Sequence, residues 1–260
     1  MHTRTERVQH SDQDTISYLK QDIVHNALDI WYLQRRDKRY ELYTCRVGSD
    51  IKAHLSIYRS PEANYVSLGG DPGGAEELLP LVPAKGILLA PLSLQGLVTQ
   101  KFNRGTIFRN DIMMVMRGEE KLRNPEQATR LSRNHGSEYS TFGASFNMHN
   151  APLEWVQEHL DSDFIFGVFA EGKLASVASV VAWLPQVSVI MSVETKPIFR
   201  GRGLGRVVVS AAVLEGLKHS RSCALFVRVD NEQAIGLYRG LGFKKVGEEL
   251  WIDIGTGLIP

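Results

Sequence analysis

Between Phe199 and Arg206 the chain reads Phe-Arg-Gly-Arg-Gly-Leu-Gly-Arg, three glycines interleaved with three arginines just ahead of the helix-forming run Val207 to Leu217. Glycines let a backbone approach a ligand closely, a helix start presents N–H groups without intrahelical partners, and arginines add positive charge. Together these residues make an anion-binding turn suited to phosphate. A dinucleotide fingerprint counted from Gly203 and Gly205 would need its third glycine at Val208. A P-loop would need Lys and then Ser or Thr where Arg206 and Val207 stand. Neither nucleotide motif matches.

The flanking residues narrow the choice. Upstream, Val189 to Thr195 is an extended apolar run that closes in Pro197; downstream come a second run, Ala224 to Val229, and then Asp230-Asn231-Glu232-Gln233-Ala234. The order is strand, loop, helix, strand, cap, helix. Arg200-Gly201-Arg202-Gly203-Leu204-Gly205 resembles the (Arg/Gln)-x-x-Gly-x-(Gly/Ala) acyl-CoA-binding motif of the GNAT acyltransferase superfamily. Val193 to Phe199 looks like that superfamily's fourth strand and its exit. Asn231 to Phe243 is similar to its Asn-x-x-Ala-x-x-Leu-Tyr-x-x-x-Gly-Phe signature. The resemblance spans about Asn110 to Ile254 and is most specific from Val193 to Phe243.

What the resemblance implies can be stated residue by residue. The N–H groups of Arg202, Gly203, Leu204 and Gly205, in a turn opened by Gly201, would face the CoA pyrophosphate, with Arg200 or Arg206 as charge partners. Val193 and Thr195 lie two apart on a strand whose edge would pair with the pantetheine arm, and an N–H near Val193 would polarise the thioester carbonyl. Asn231 would cap the following helix and touch the pantetheine. Tyr238 would give a proton to the departing thiolate, a role that competes with that of a buried tyrosine bonded to a backbone acceptor. Glu194 would be the general base, against the alternatives of a salt bridge or a solvated carboxylate. Glu248 and Glu249 are reserve bases; beside Lys244 and Lys245 they read as a solvated charged face. Asn134 to Asn150, with His135 and His149, would line the acceptor pocket, although the same composition describes a surface connection. None of the eight histidines has metal-ligand spacing, so no metal is expected.

The implied activity is transfer of an acetyl or other short acyl group from acyl-CoA, with acetyl-CoA as donor, to a primary amine of a small molecule, protein or peptide, by direct attack in a ternary complex. Two rivals are a CoA-binding sensor or scaffold without turnover and a nucleotide-binding module with a chance glycine turn. The arrangement is also similar to glycine N-acyltransferase-like members, which place a divergent domain before this one.

The rest of the chain must position these residues. Its 260 residues are 43% hydrophobic and 23% charged with formal net charge +1, room for one large domain or two small ones, and too nearly neutral for nucleic acid to be the expected partner. Two cysteines, Cys45 and Cys223, make no disulfide framework. The polar start, Met1 to Thr15, and the lack of a run of about 18 apolar residues lead to the expectation of a cytoplasmic protein without membrane association.

Apolar spacing predicts a helix over Asp12 to Leu33, then strands at Tyr40 to Val47, Ile51 to Tyr58, Tyr65 to Leu68 and Gly86 to Ala90, with the turn Gly69 to Gly74 and Ala75 to Leu81 between the last two. Thr106 to Arg117 reads as extended, and Asn124 to Ser132 and Pro152 to Leu160 as helical. Phe164 to Ala170, Leu174 to Leu184 and Val187 to Thr195 form an antiparallel meander, and Lys244 to Ile254 is the final strand. The expected fold is mixed α/β (α+β): a mostly antiparallel GNAT-type sheet flanked by helices over residues 109–260, preceded by an α/β domain over residues 1–108. Both halves share one order of elements, and a degenerate internal duplication would explain it. The first copy has Asp71 where the second has arginines, so like charge would repel a pyrophosphate there. Its expected roles are packing against the catalytic domain, walling the acceptor site or forming a homodimer.

Overall fold

The computed structural model describes residues 3–8, 12–61, 63–143 and 151–257. In chain order the first elements are β1 (Thr3–Arg7), α1 (Gln13–Leu19), α2 (Ala27–Arg35), β2 (Tyr40–Val47), β3 (Asp50–Arg59), β4 (Asn64–Gly70), α3 (Pro72–Leu78), β5 (Gly86–Pro91) and α4 (Gln95–Lys101). They are followed by β6 (Thr106–Met116), β7 (Thr129–Arg130), α5 (Gly136–Phe142), α6 (Leu153–Ser162), β8 (Phe164–Ala170), β9 (Lys173–Trp183), β10 (Ser188–Thr195), α7 (Leu204–His219), β11 (Ser222–Arg228), α8 (Glu232–Gly240) and β12 (Lys244–Ile254). The chain forms two compact units, one of Met1–Asn110 with Glu248–Pro260 and one of Asp111–Gly247. The sequence reading places one boundary at 108/109; the chain path also returns its last residues to the first unit.

In the first unit β1, β2, β3 and β4 pair antiparallel in succession, and β5 pairs parallel with β4. Glu249 to Ile254 of β12 then runs antiparallel along β5. The second unit repeats the pattern: β7, β8, β9 and β10 pair antiparallel in succession and β11 is parallel to β10. Each unit is built in the order strand, two helices, three-strand meander, helix, parallel strand, helix. The sheet is mostly antiparallel and carries helices, the mixed α/β fold expected from the sequence. Alternation along the strands builds the cores: Leu55, Ile57, Val66, Leu68 and Leu88 in the first unit, and Val180, Ile190, Leu225 and Val227 beneath α7 in the second. A smaller cluster under α5 and α6 includes Tyr139, Phe142, Leu160 and Val177.

Three expectations are corrected. The helix Asp12 to Leu33 is two helices, because after a 3-10 turn at Lys20–Asp22 the buried Asn26 side chain donates to the Leu19 carbonyl at 2.9 Å and satisfies the end of α1. The apolar spacing runs across the break since Ile16 and Leu19 of α1 and Ile30 and Leu33 of α2 are all buried. Asn124 to Ser132 is one 3-10 turn at Pro125–Gln127 followed by β7, with Asn124 left-handed at φ 47°. Part of the stretch expected as a connection, Asn134 to Asn150, is α5, which Ser132 and His135 introduce with a capping box. His149 and the rest of 144–150 lie outside the described residues. Among the described residues no helix is long and apolar enough to cross a membrane.

Candidate active site

β10 is shaped by one extra residue. Met191 faces Ser179 of β9 and Glu194 faces Val177, three steps on β10 against two on β9, and Ser192 within this bulge has φ 53°. On the other edge the registered parallel pairs with β11 are Ser188, Val189 and Ile190, so they end just before the bulge. A bulge bends its strand and steepens the twist, which accounts for the parting of β10 from β11 at this point.

The side chains beyond the bulge divide between the two faces. Val193 packs on the core beneath α7 and α8. Glu194 is cross-strand from Val177, which belongs to the cluster under α5 and α6, so the two share that face. Ser176 ties the next residue down: its hydroxyl donates to the Glu194 carbonyl at 2.9 Å and lies 2.8 Å from Thr195 Oγ1. Since Ser176 has one hydroxyl hydrogen, the Thr195 hydroxyl is the donor in the second bond. Nothing in the sequence marks Ser176, which sits in an apolar strand 18 residues before Glu194.

The glycine turn follows directly. Gly201 and Gly203 have φ 77° and 79°, and a Cβ added to either would meet no atom within 4 Å, so these glycines answer a backbone requirement and leave open space over the turn. Gly203 is the N-cap of α7, and no side chain caps that helix. A Cβ on Gly205 would lie 3.1 Å from Leu237 and 3.3 Å from Thr195 Oγ1, so this glycine lets α7 begin close against α8 and the end of β10. Arg200 Nε donates to the Thr195 carbonyl at 3.1 Å. Arg202 pairs with Glu171 at 2.8 Å and lies 5.3 Å over the Phe199 ring, a half-exposed pair worth roughly 0–1 kcal/mol. Arg206 stands in the first turn of α7 near Gly240.

On α8, Asn231 Oδ1 accepts the Ala234 amide at 3.1 Å and caps the helix. Seven residues on, Tyr238 is 5% exposed with its ring 5.8 Å from Phe243. Burial pushes its phenol well above the usual tyrosine range, so it stays protonated at neutral pH.

The reserve bases are not here. Glu248 and Glu249 belong to the first unit, where Glu248 pairs with Arg109. The reading of Glu249 as solvated fails: it is 3% exposed, and the Trp251 indole N–H donates to it. Lys244, Lys245 and Val246 are the exposed residues of that strand. His135 uses Nδ1 to accept the Ser132 amide at 3.1 Å. Among the described residues no group of three or more His, Cys, Asp or Glu could hold a metal ion.

In the first unit the helix equivalent to α7 is α3, and there Asp71 Oδ1 accepts the Gly74 amide at 2.8 Å. The anion position at that helix start is filled by the protein's own carboxylate, which adds to the like-charge repulsion expected from the sequence.

A family model described as FR47-like protein matches residues 166–252, the stretch from β8 through the glycine turn to β12. Over 100 residues the chain is 31% identical to an uncharacterized N-acetyltransferase of Methanocaldococcus jannaschii, covering 36% of this chain and 44% of that one. Over this stretch the second unit is similar to GNAT-superfamily N-acetyltransferases. The chain spans less than half the length of the curated relatives it matches. Among solved structures, a protein of Drosophila is similar over 96% of this chain and 97% of its own at a TM-score of 0.72 and 16% identity. A tandem GNAT protein from the clavulanic acid biosynthesis pathway covers 98% and 99% of the two chains at a TM-score of 0.59 and 14% identity. These two are likenesses of fold, and they fit a GNAT arrangement of two domains.

Proposed function

We propose that the second unit moves an acetyl or other short acyl group from acyl-CoA to a primary amine by direct attack in a ternary complex. The observation that carries the reading is the uncapped start of α7 at Gly203, placed immediately after β10 parts from β11. GNAT acetyltransferases use acetyl-CoA as co-substrate, and both features suit it. Free N–H groups and the positive end of a 16-residue helix attract the pyrophosphate, while Arg200, Arg202 and Arg206 add charge around the glycine turn. The freed edge of β10 suits an extended amide-bearing arm, which pairs as an added strand.

The chemistry assigns one task to each group. The amine nitrogen attacks the thioester carbonyl carbon, and an N–H near Val193 steadies the oxyanion. The C–S bond then breaks, and Tyr238 gives its proton to the leaving thiolate. Glu194, on the face covered by α5 and α6, takes the proton lost by the amine. Gly201, Gly203 and Gly205 keep the turn open, and Asn231 holds α8 so that Tyr238 keeps its place. The acceptor is a primary amine on a small molecule, a protein or a peptide.

The test is release of free thiol from acetyl-CoA across a set of primary amines, with wild type and Tyr238→Phe side by side. Amine-dependent release by wild type, strongly reduced in the variant, supports the reading. Binding of acetyl-CoA without release for any amine would sink it in favour of a CoA sensor.

A further inference from the structure

The first unit repeats the parting of strands and encloses a cavity in it. Parallel pairs between β4 and β5 are registered at Tyr65, Val66 and Ser67, and beyond them the strands open onto a cavity of about 400 Å³. Tyr18, Asp22 and His25 line it from the α1 side, His54 from β3, and Glu249 from β12. All of these residues belong to the first unit.

The backbone makes room for this lining. A Cβ on Gly69 would lie 2.4 Å from His54 Cε1, and one on Gly70, at φ 112°, would lie 2.8 Å from the Tyr18 hydroxyl and 2.2 Å from the Lys52 carbonyl. Any side chain at those two positions would displace the imidazole and the phenol. Gly69 and Gly70, which the sequence offers only as a turn, keep His54 and Tyr18 in the cavity wall.

His54 is 2% exposed, lines the cavity, and among the described residues makes no hydrogen bond through either ring nitrogen. Its nearest carboxylate oxygen, Asp29 Oδ2, stands 3.7 Å from Nε2, beyond bonding distance, and Asp29 turns its other oxygen to Tyr40 and Ser56. A buried polar group left unsatisfied is unfavourable, so a donor and acceptor arriving in the cavity would have a ready partner. Among the described residues Glu249 accepts one side-chain bond, from Trp251, and has further acceptor capacity.

Charge selects the class of ligand. Asp22 and His25 neutralise one another at 2.7 Å, and Lys52, which also lines the cavity, faces Asp50 at 3.4 Å. Asp71, on the same wall, is engaged by the Gly74 amide. Among the described residues Glu249 is thus the buried carboxyl of the cavity wall with no cation within salt-bridge distance, and desolvation raises it to about 7. A phosphate would meet Asp71 at the helix start and two further carboxyls in the wall.

We propose that the first unit has a ligand site of its own, a pocket for a compact organic amine whose ammonium group is held by Glu249 and whose other polar groups bond His54 and Tyr18. The amine meets a carboxyl whose neighbouring imidazole, His25, is already paired with Asp22. Where Glu249 carries its proton, binding releases that proton to solvent and leaves an ion pair in place of the neutral acid. This site is separate from the acyl-CoA turn of the second unit and makes no use of CoA.

The experiment is isothermal titration of the full-length protein with 1,4-diaminobutane and ethanolamine, and with sodium acetate as the anionic arm, followed in parallel by Trp251 fluorescence using Trp251→Phe as blank. Variants are Glu249→Gln, which keeps the shape of the neutral acid, His54→Asn, and Tyr238→Phe, which touches only the second unit. The expected result is saturable binding of an amine with a fluorescence change that Trp251→Phe abolishes, weakened at least tenfold by Glu249→Gln, weakened by His54→Asn, and kept by Tyr238→Phe. Equal amine affinity in wild type and Glu249→Gln would overturn the proposal. So would acetate binding in preference to the amines, the absence of saturable amine binding, or loss of the binding in Tyr238→Phe. CoA affinity measured on Glu249→Gln keeps the two sites apart, since it is expected to match wild type whether or not the second unit turns over.

Discussion

Asp71 Oδ1 accepts the Gly74 amide hydrogen at 2.8 Å and so closes the start of α3, while at the same step of the second unit Gly203 leaves α7 without a side-chain cap. One carboxylate separates a helix start that is already satisfied from one that can receive an anion.

From that contrast follows a stability change without a binding change. Asp71→Ala exposes the Gly74 amide and removes an N-cap, at a cost of about 1 kcal/mol in unfolding free energy, while Asp71→Asn retains the acceptor and most of the stability. Chemical denaturation of the three proteins checks this. Acetyl-CoA stoichiometry is expected to be the same in all of them, because Asp71 is only one of the groups that set the first unit apart.

Tyr238 is buried and its phenol is pushed up, so across the neutral range it is a proton donor and never a phenolate. Tyr238→Phe keeps the ring against Phe243 and removes the proton. Turnover is expected to fall by about 100-fold or more with acetyl-CoA affinity changed little, measured as kcat against the dissociation constant. A rise in the dissociation constant with kcat unchanged would assign the hydroxyl to binding.

Glu249 gives the first unit a pH signature. Desolvation raises its carboxyl to about 7, the Trp251 hydrogen bond and His25 pull it down, and Asp22 pushes it up. A folded-state value above the unfolded one means that the folded protein binds the proton more tightly. The stabilisation is therefore complete below about pH 4.5 and is lost as pH rises through about 7. Glu249→Gln, neutral throughout, is expected to gain on wild type over that window by an amount of order 3 kcal/mol at its upper end. Unfolding curves at several pH values, wild type against variant, provide the check.

How far the sequence reaches depends on the range of the interactions. Strands β2, β8 and β12 run over the residues expected for them, since alternation and bounding turn residues are local properties. The glycine turn and the cap at Asn231 were legible for the same reason. The break between α1 and α2 was not, because it rests on a side-chain bond from Asn26 back to Leu19 across a continuous apolar stripe. Nor was the burial of Glu249: beside two lysines it reads as surface, and it is turned inward by pairing with Pro91 of β5, far away in sequence. Ser176 and His54 are invisible for that reason too, each acquiring its place only when neighbouring strands and glycines are assembled around it.

The central claim is one working acyl-donor site, in the second unit. It is tested most directly by calorimetric titration of acetyl-CoA into the full-length protein and into Gly203→Val, in which a β-branched residue must adopt φ 79° over the turn. The expected result is one equivalent bound by wild type, with affinity lowered at least tenfold in the variant while its fold, judged by circular dichroism, is retained. Two equivalents, none, or one equivalent bound equally well by a folded Gly203→Val would contradict the account.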